Sequence, residues 1–183
     1  MNKKTINNLK KLSVATITMQ LLKNGFRNSA MTGVKPLNLP TIPIIGPAYT
    51  LRFIPGREDL SSPEVLGNKK YCPRLAIENV PPNSILVIDG RQKANITVLG
   101  DILIERLKFR GVAGIVTDGG VRDLEQCLLA DFPIYAAGAA APASITGHAA
   151  GDLQSPIGCG GIAVLPNDLI IGDRDGIAVV PAK

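Results

Sequence analysis

Apolar positions along residues 7–24 recur at mostly helical spacing, as Leu9, Leu12, Val14, Ile17, Leu21 and Leu22, with lysines between them and Gly25 behind them. This spacing predicts an amphipathic opening helix that stops at the glycine. Prolines at 36, 40, 43 and 47 break regular structure over residues 34–47, so a structured connector is expected there before a strand at residues 48–53. Residues 56–71 are polar and turn-rich and lead into a short helix near residues 74–79. The apolar run at 84–88, bounded by Pro81-Pro82 and Asp89-Gly90, has the pattern of a buried strand. A helix at residues 100–110, with Leu103 and Leu107 on one face and Gly111 as its stop, then precedes a second buried strand at 112–116. Strand, loop, helix, strand is an α/β unit, in which the loops after the strands commonly carry function. Residues 122–130 read as helix, 133–136 as a third strand and 138–142 as a small-residue loop. The remainder is β-rich: residues 162–165, 169–171 and 177–180 are separated by Pro166-Asn167-Asp168 and Asp173-Arg-Asp-Gly176, which suggests hairpins.

A chain of 183 residues fits one domain, residues 1–183, around one layered core. Apolar residues make up 45% and aromatics 4% with no Trp, so Val, Ile, Leu and Ala must build that core, as they do in buried strands packed on helices. The scarcity of aromatics argues against stacking platforms for single-stranded nucleic acid, and nucleic acid is not an expected partner. No apolar run reaches the roughly 18 residues that span a bilayer, and the basic start lacks the apolar stretch of a secretory signal, so no membrane association and a cytoplasmic location are expected. Cys72, Cys127 and Cys159 lack CxxC spacing and are expected to be reduced thiols, mostly buried. Charge is uneven: nine basic residues lie between Lys3 and Arg57 before the first carboxylate, Glu58. A polyanion-binding face, an acidic-poor transit segment and a solvated helix face with scattered loop charges all fit that asymmetry, and the absence of a dense basic run favours the last.

The densest chemical signal is Thr117-Asp-Gly-Gly-Val-Arg-Asp123, directly after a strand. Its glycines permit unusual backbone and close approach to a ligand. Arg122 offers a planar fork for a carboxylate, and Asp123 a hard oxygen for magnesium or manganese. An Arg-Asp pair after a turn also serves as a surface ion pair or helix cap. The second signal is Leu99-Gly-Asp-Ile-Leu103, where free N–H groups at a helix start favour anions and Gly100 allows approach, although Asp101 is equally ordinary as a cap. The two turns flank one helix–strand unit and could converge on one pocket.

These segments, with Ser13-Val-Ala-Thr-Ile, Gly46-Pro-Ala-Tyr-Thr-Leu-Arg, Phe132-Pro-Ile-Tyr-Ala, Pro156-Ile-Gly-Cys-Gly-Gly-Ile-Ala-Val-Leu-Pro-Asn-Asp and Gly172-Asp-Arg-Asp-Gly-Ile-Ala-Val-Val-Pro181, resemble the family of 4-hydroxy-4-methyl-2-oxoglutarate aldolases and regulators of ribonuclease E activity, the class II pyruvate aldolase-like proteins. The likeness covers nearly the whole chain. It implies a three-layer α/β sandwich of the swivelling type, assembled as a homotrimer or a dimer of trimers. It further implies metal-dependent cleavage of 4-hydroxy-2-oxo acids to pyruvate, oxaloacetate decarboxylation, or both, with Mg²⁺ or Mn²⁺ as cofactor. By the same resemblance Arg122 binds the oxo-acid end of the substrate, Asp123 anchors the metal, Gly100, Asp101, Ile102 and Leu103 supply backbone donors to the carboxylate, and Asp101 holds a metal-bound water. A dication and an Arg would then stabilise the enolate, and no Schiff-base lysine is required. The rival reading is a non-catalytic regulator that binds a ribonuclease through its basic N-terminal half, and a third is a catalytically silent oligomer.

The chain departs from the family pattern in two places. It reads Ile17-Thr18-Met19-Gln20 where the resemblance implies an Asp, and it stops at Lys183, where the resemblance implies a C-terminal helix that can reach a neighbouring subunit. This second departure bears on any acid–base group that the resemblance would place on such a helix. His148 is the sole histidine, which excludes multi-histidine metal sites and leaves it a structural or pocket-edge role. Asp173 and Asp175 are expected to serve a hairpin turn rather than a metal. Asp89, Arg91 and Lys93 fit either a structural or a near-pocket position.

Overall fold

The computed structural model describes residues 3–38, 43–68 and 70–182, so Pro40 of the connector and Lys183 lie outside the described residues. The opening segment forms two helices rather than one, α1 (Lys3–Leu9) and α2 (Val14–Lys23). Ser13 separates them: its backbone is extended, and its Oγ accepts the Thr16 N–H at 3.2 Å, which starts a new helix. Gly25, at φ +90°, follows the end of α2, a conformation a side chain would resist.

Beyond it come β1 (Lys35–Pro36), β2 (Ile44–Pro55), α3 (Cys72–Asn79), β3 (Ile85–Asp89), β4 (Thr97–Leu99), α4 (Asp101–Phe109), β5 (Gly114–Thr117), β6 (Gly120–Val121) and α5 (Leu124–Leu129). The C-terminal third holds β7 (Ile134–Ala136), β8 (Gly138–Ala139), β9 (His148–Leu153), β10 (Ile157–Cys159), β11 (Ile162–Val164), β12 (Leu169–Gly172) and β13 (Ile177–Val180). The main sheet has the order β1-β7-β5-β3-β2-β12-β13, with β9 also paired to β2. Its centre, β2-β3-β5-β7, is parallel, and its flanks are antiparallel.

The β2 strand starts earlier than the prolines suggest and runs through Pro47. Ala48 donates its N–H to Asp168 on one side, so the Pro47 nitrogen faces the other edge, where pairing with β3 begins only at Ala48. The missing N–H therefore removes no ladder bond.

Three layers result. Leu86 and Ile88 point into a core shared with Ala76, Ile77, Ile104 and Leu107 of α3 and α4, while Ile85 and Val87 point the other way, onto Ile157, Cys159, Ile162 and Val164 of the β10–β11 hairpin. Alternate residues thus face two cores, which is why the strand reads as an unbroken apolar run. Val14 and Ile17 of α2 close the far end on Ile171 and Ala178. The three-layer α/β architecture is as the resemblance implied.

One expected hairpin is absent. β11 pairs with β10 and not with β12, which lies in the main sheet between β2 and β13. At the turn between them Asn167 adopts φ +72°, and the Asp168 carboxylate accepts the Leu165 N–H at 2.8 Å and the Ala182 N–H at 3.1 Å. These bonds carry the chain from one layer to the next instead of back along itself. The β12–β13 hairpin does form. Asp173 accepts the Asp175 N–H within its turn, at 2.9 Å, and the Val14 N–H at the start of α2, at 2.8 Å, a structural role on both counts. Among the described residues no helix is long and apolar enough to cross a membrane.

Candidate active site

Three very short parallel strands, β4, β6 and β8, form a separate ladder beside the main sheet, with Leu99 opposite Val121 and Gly120 opposite Gly138. Arg122 continues it by donating its N–H to Leu99 at 3.2 Å. The ladder sets Gly100, the N-cap of α4, against the Arg122-Asp123 pair that precedes α5.

Gly100 is required by space and not by backbone conformation. Its φ of −139° is ordinary, but a Cβ there would lie 2.6 Å from Asp123 Oδ2 and 2.9 Å from Arg122 Cγ. The space expected to admit a substrate carboxylate is taken by the two site side chains themselves. Gly119 and Gly120 also serve close packing and not unusual dihedrals. A Cβ would meet Val98 at 2.7 Å in the first case, and both the Ala94 carbonyl and Ala140 at 2.7 Å in the second.

Gly100, Asp101, Ile102, Leu103 and Arg122 share the wall of one cleft of about 250 Å³. The N–H groups of Asp101 and Leu103 have no partner among the described residues, whereas that of Ile102 is taken by Asp101 Oδ1 at 2.7 Å. Asp101 is therefore a local cap as well as a cleft residue, and two amide donors remain for an anion. Asp123 is not in the cleft wall. It sits behind Gly100, its Oδ2 3.2 Å from Arg122 Nε, and adopts φ +55° as the residue before α5. Beneath the pair, the Cys127 thiol donates to the Arg122 carbonyl at 3.2 Å. Burial, and then the charges of Asp101 and Asp123, push this thiol up to about 11, so it stays protonated and keeps that bond. Cys127 and Cys159 are buried, Cys72 is half-buried, and all three are free thiols.

No group of three or more His, Cys, Asp or Glu side chains among the described residues could enclose a metal ion. The donor set therefore does not suit zinc, which takes three or four protein ligands. It suits magnesium or manganese, because such an ion keeps much of its water and takes one or two carboxylates plus oxygens of its substrate. Asp123, nearly half exposed and with one oxygen turned toward Gly100, is the residue that could hold it.

Several cleft and support residues were not legible in the sequence. Tyr71, Arg74 and Ser144 line the same cleft from α3 and the turn before β9, carried by no motif. Asp118, inside the quoted motif but without an assigned role, is buried and accepts the Gly90 N–H at 2.7 Å and the Gly160 N–H at 3.1 Å. It ties the β3 end, the β10–β11 turn and the Gly119 loop together, and burial raises its carboxyl above the usual range. Two amides converging on one buried Asp leave no local sequence pattern.

His148 lies away from the cleft, fully buried and stacked on Phe53 at a ring separation of 5.1 Å. Neither ring nitrogen has a partner among the described residues. Burial, with Arg91 and Lys93 nearby, lowers it to about 4, so it is neutral at pH 7. The folded value lies below the unfolded one, so its contribution to stability is complete above about pH 6.5 and is lost as pH falls, by roughly 3 kcal/mol near pH 4. Denaturant melts of wild type and His148→Phe at pH 7 and pH 4.5 should show a steeper acid loss in wild type. Equal losses in both would remove His148 from the acid response.

The family model described as RraA-like: Aldolase/RraA matches residues 14–179. The chain belongs to this family. The RraA-like chain is 34% identical over 159 residues to a Halalkalibacterium halodurans protein named for an inferred 4-hydroxy-4-methyl-2-oxoglutarate aldolase activity, an alignment covering 86% of this chain and 68% of that protein. It is 29% identical over 151 residues to Legionella pneumophila protein DlpA, covering 82% of this chain but 23% of the other. Among solved structures, Streptomyces coelicolor RraAS2, described as an unusual member of the RNase ES inhibitor RraA protein family, superposes with a TM-score of 0.86 at 33% identity, over all of this chain and 86% of that one. Family membership thus brings together an aldolase name and an inhibitor name, and the choice between them rests on the cleft.

Proposed function

We propose that this RraA-like protein is a class II, divalent-metal-dependent aldolase that cleaves 4-hydroxy-2-oxo acids to pyruvate, with oxaloacetate decarboxylation as a related activity. The observation that carries the reading is the packing of Gly100 directly on Arg122 and Asp123, which sets the Asp123 carboxylate behind a small cleft walled by Arg122 and two unpartnered amides. Such a set fits a small 2-oxo acid: the Asp101 and Leu103 amides at the positive end of α4 take its carboxylate, and the Arg122 fork takes its oxo oxygen. Mg²⁺ or Mn²⁺ at Asp123 would supply Lewis-acid polarisation of that oxygen.

In the retro-aldol step the 4-hydroxyl loses its proton and becomes a carbonyl as the C3–C4 bond breaks. The bonding pair moves into the pyruvate enolate, which Arg122 stabilises, and C3 then takes up a proton. Asp101 Oδ1 is held by the Ile102 amide, which fixes the carboxylate while Oδ2 orients a water at the cleft for these transfers. A homotrimer or a dimer of trimers belongs to this reading, supported by the exposed Ile102, Phe109 and Leu129 on α4 and α5.

The test is pyruvate release by the full chain from 4-hydroxy-4-methyl-2-oxoglutarate and from oxaloacetate, with and without Mg²⁺ or Mn²⁺. We expect metal-dependent turnover that falls by at least about a hundredfold in Asp123→Ala, since removing a metal ligand takes away several kcal/mol of charge stabilisation. The inhibitor description of RraAS2 supports a second reading, a regulator that binds a ribonuclease. Absence of pyruvate release together with tight binding to a ribonuclease E-type enzyme would select it.

A further inference from the structure

Helix α2 carries two apolar faces, and the sheet covers only one of them. Val14, Ile17 and Leu21, spaced i, i+3 and i+7, pack with Ile171, Ala178 and Val180. Ala15, Met19 and Leu22, at i, i+4 and i+7, share a second face and are exposed, as are Leu12 just before the helix and Phe26 just after it. Met19 and Leu22 are 52% and 50% exposed, Leu12 and Phe26 42% and 43%. Scattered exposed apolar residues are ordinary, but four large ones along a single helix form a ridge. Among the described residues, nothing pairs the charge beside it. Lys10, Lys11, Lys23 and Arg27 are exposed at the two ends of the ridge, and none makes an ion pair or side-chain hydrogen bond among the described residues. No carboxylate occurs in the sequence before Glu58. Asp173 does touch α2, but its two oxygens accept the Val14 and Asp175 N–H groups at 2.8 and 2.9 Å.

Charge decides what covers such a face. A second copy docked there would set cations against cations across the symmetry axis. A folded acidic partner would have to fix its carboxylates opposite four cations on long, mobile stems, at a cost in side-chain entropy. An anionic bilayer needs no such register. Its headgroups diffuse to the charges, the apolar ridge enters the acyl boundary, and the lysine stems reach back to the headgroup level. We infer that the outer face of α2 docks on an anionic lipid surface, with Leu12, Met19, Leu22 and Phe26 entering the interface and Lys10, Lys11, Lys23 and Arg27 meeting the headgroups. The chain then lies on the bilayer without crossing it, and no long apolar helix is required. The Gly100–Arg122 cleft is built from other elements, so this inference stands apart from the aldolase reading.

The test is co-sedimentation of the full chain with vesicles of phosphatidylcholine alone and of phosphatidylcholine with phosphatidylserine at roughly three to one. Four cations at about fivefold each predict a preference of about a hundredfold or more for the anionic vesicles, falling steeply with added salt. Lys10→Glu/Lys11→Glu/Lys23→Glu should abolish that binding. Met19→Ser/Leu22→Ser should weaken it by about tenfold, with the melting temperature kept because both side chains are exposed. The chain has no Trp, so Phe26→Trp supplies a single reporter whose emission should shift to the blue on anionic vesicles. A wild type that binds neither vesicle type, or both alike, overturns the inference, and in the first case leaves an acidic protein segment as the occupant. Full binding by Met19→Ser/Leu22→Ser with no blue shift for Phe26→Trp also overturns it, since charge alone would make the face a general polyanion surface. So does a smaller assembly mass for Met19→Ser/Leu22→Ser in sedimentation equilibrium, because another copy of the chain would then cover the ridge.

Discussion

Arg122→Ala is expected to lower kcat/KM for pyruvate release by about a thousandfold, the usual consequence of removing a preorganised donor from a developing oxyanion. The side chain is nearly half exposed and its backbone is fixed by the Leu99 and Cys127 bonds, so the melting temperature should stay within a few degrees. Arg122→Lys should recover little, because an ammonium cannot reproduce the planar fork that spans two oxygens. The split between constants is informative: a fall in kcat and kcat/KM together means that Arg122 acts on the enolate, whereas a rise in KM alone means that it holds substrate and transition state equally. A change below about threefold in both constants would falsify its placement at the reacting end.

The second large effect belongs to a residue with no side chain. Gly100→Ala places a methyl 2.6 Å from Asp123 Oδ2 and 2.9 Å from Arg122 Cγ, so at least one of the two must move. A displacement of about 1 Å in a catalytic constellation costs on the order of a hundredfold in rate, and this loss should appear in kcat with only a small drop in thermal stability. Gly138→Ala provides the control. It lies in the same ladder, but an added Cβ there meets nothing within 4 Å, so rate and melting temperature should both be retained. Equal rates for Gly100→Ala and wild type would mean that Asp123 and Arg122 yield freely, and that their observed packing is not what catalysis uses.

The elements that could be read directly were those whose burial pattern repeats locally. The strands around Ile85 to Ile88 and Gly114 to Thr117 are buried on both faces, so their apolar runs are unbroken. The β12–β13 hairpin carries its own Asp-Arg-Asp-Gly turn, and Asp173 fastens it with a bond two residues long. The opening segment reads as one helix because apolar spacing alone does not register the Ser13 cap that restarts the helix at Val14. The missing β11–β12 hairpin has a similar cause: Pro166-Asn167-Asp168 marks a turn correctly, but the direction of exit depends on which layer has room for the next strand.

By itself, the sequence determined the α/β class, the motif residues Gly100 to Leu103, Arg122 and Asp123, and the family to which the chain belongs, because each of these is written in residues near one another along the chain. Only the tertiary structure decided that the two motifs meet. They do so through β4, β6 and β8, strands of two or three residues, too short to show any periodicity. It also decided that Gly100 makes room for protein side chains, that His148 is an unpartnered core residue, and that Tyr71, Arg74 and Ser144 share the cleft. Contacts between residues far apart in sequence arise from the packing of whole layers, and that packing leaves no local pattern for any one segment to carry.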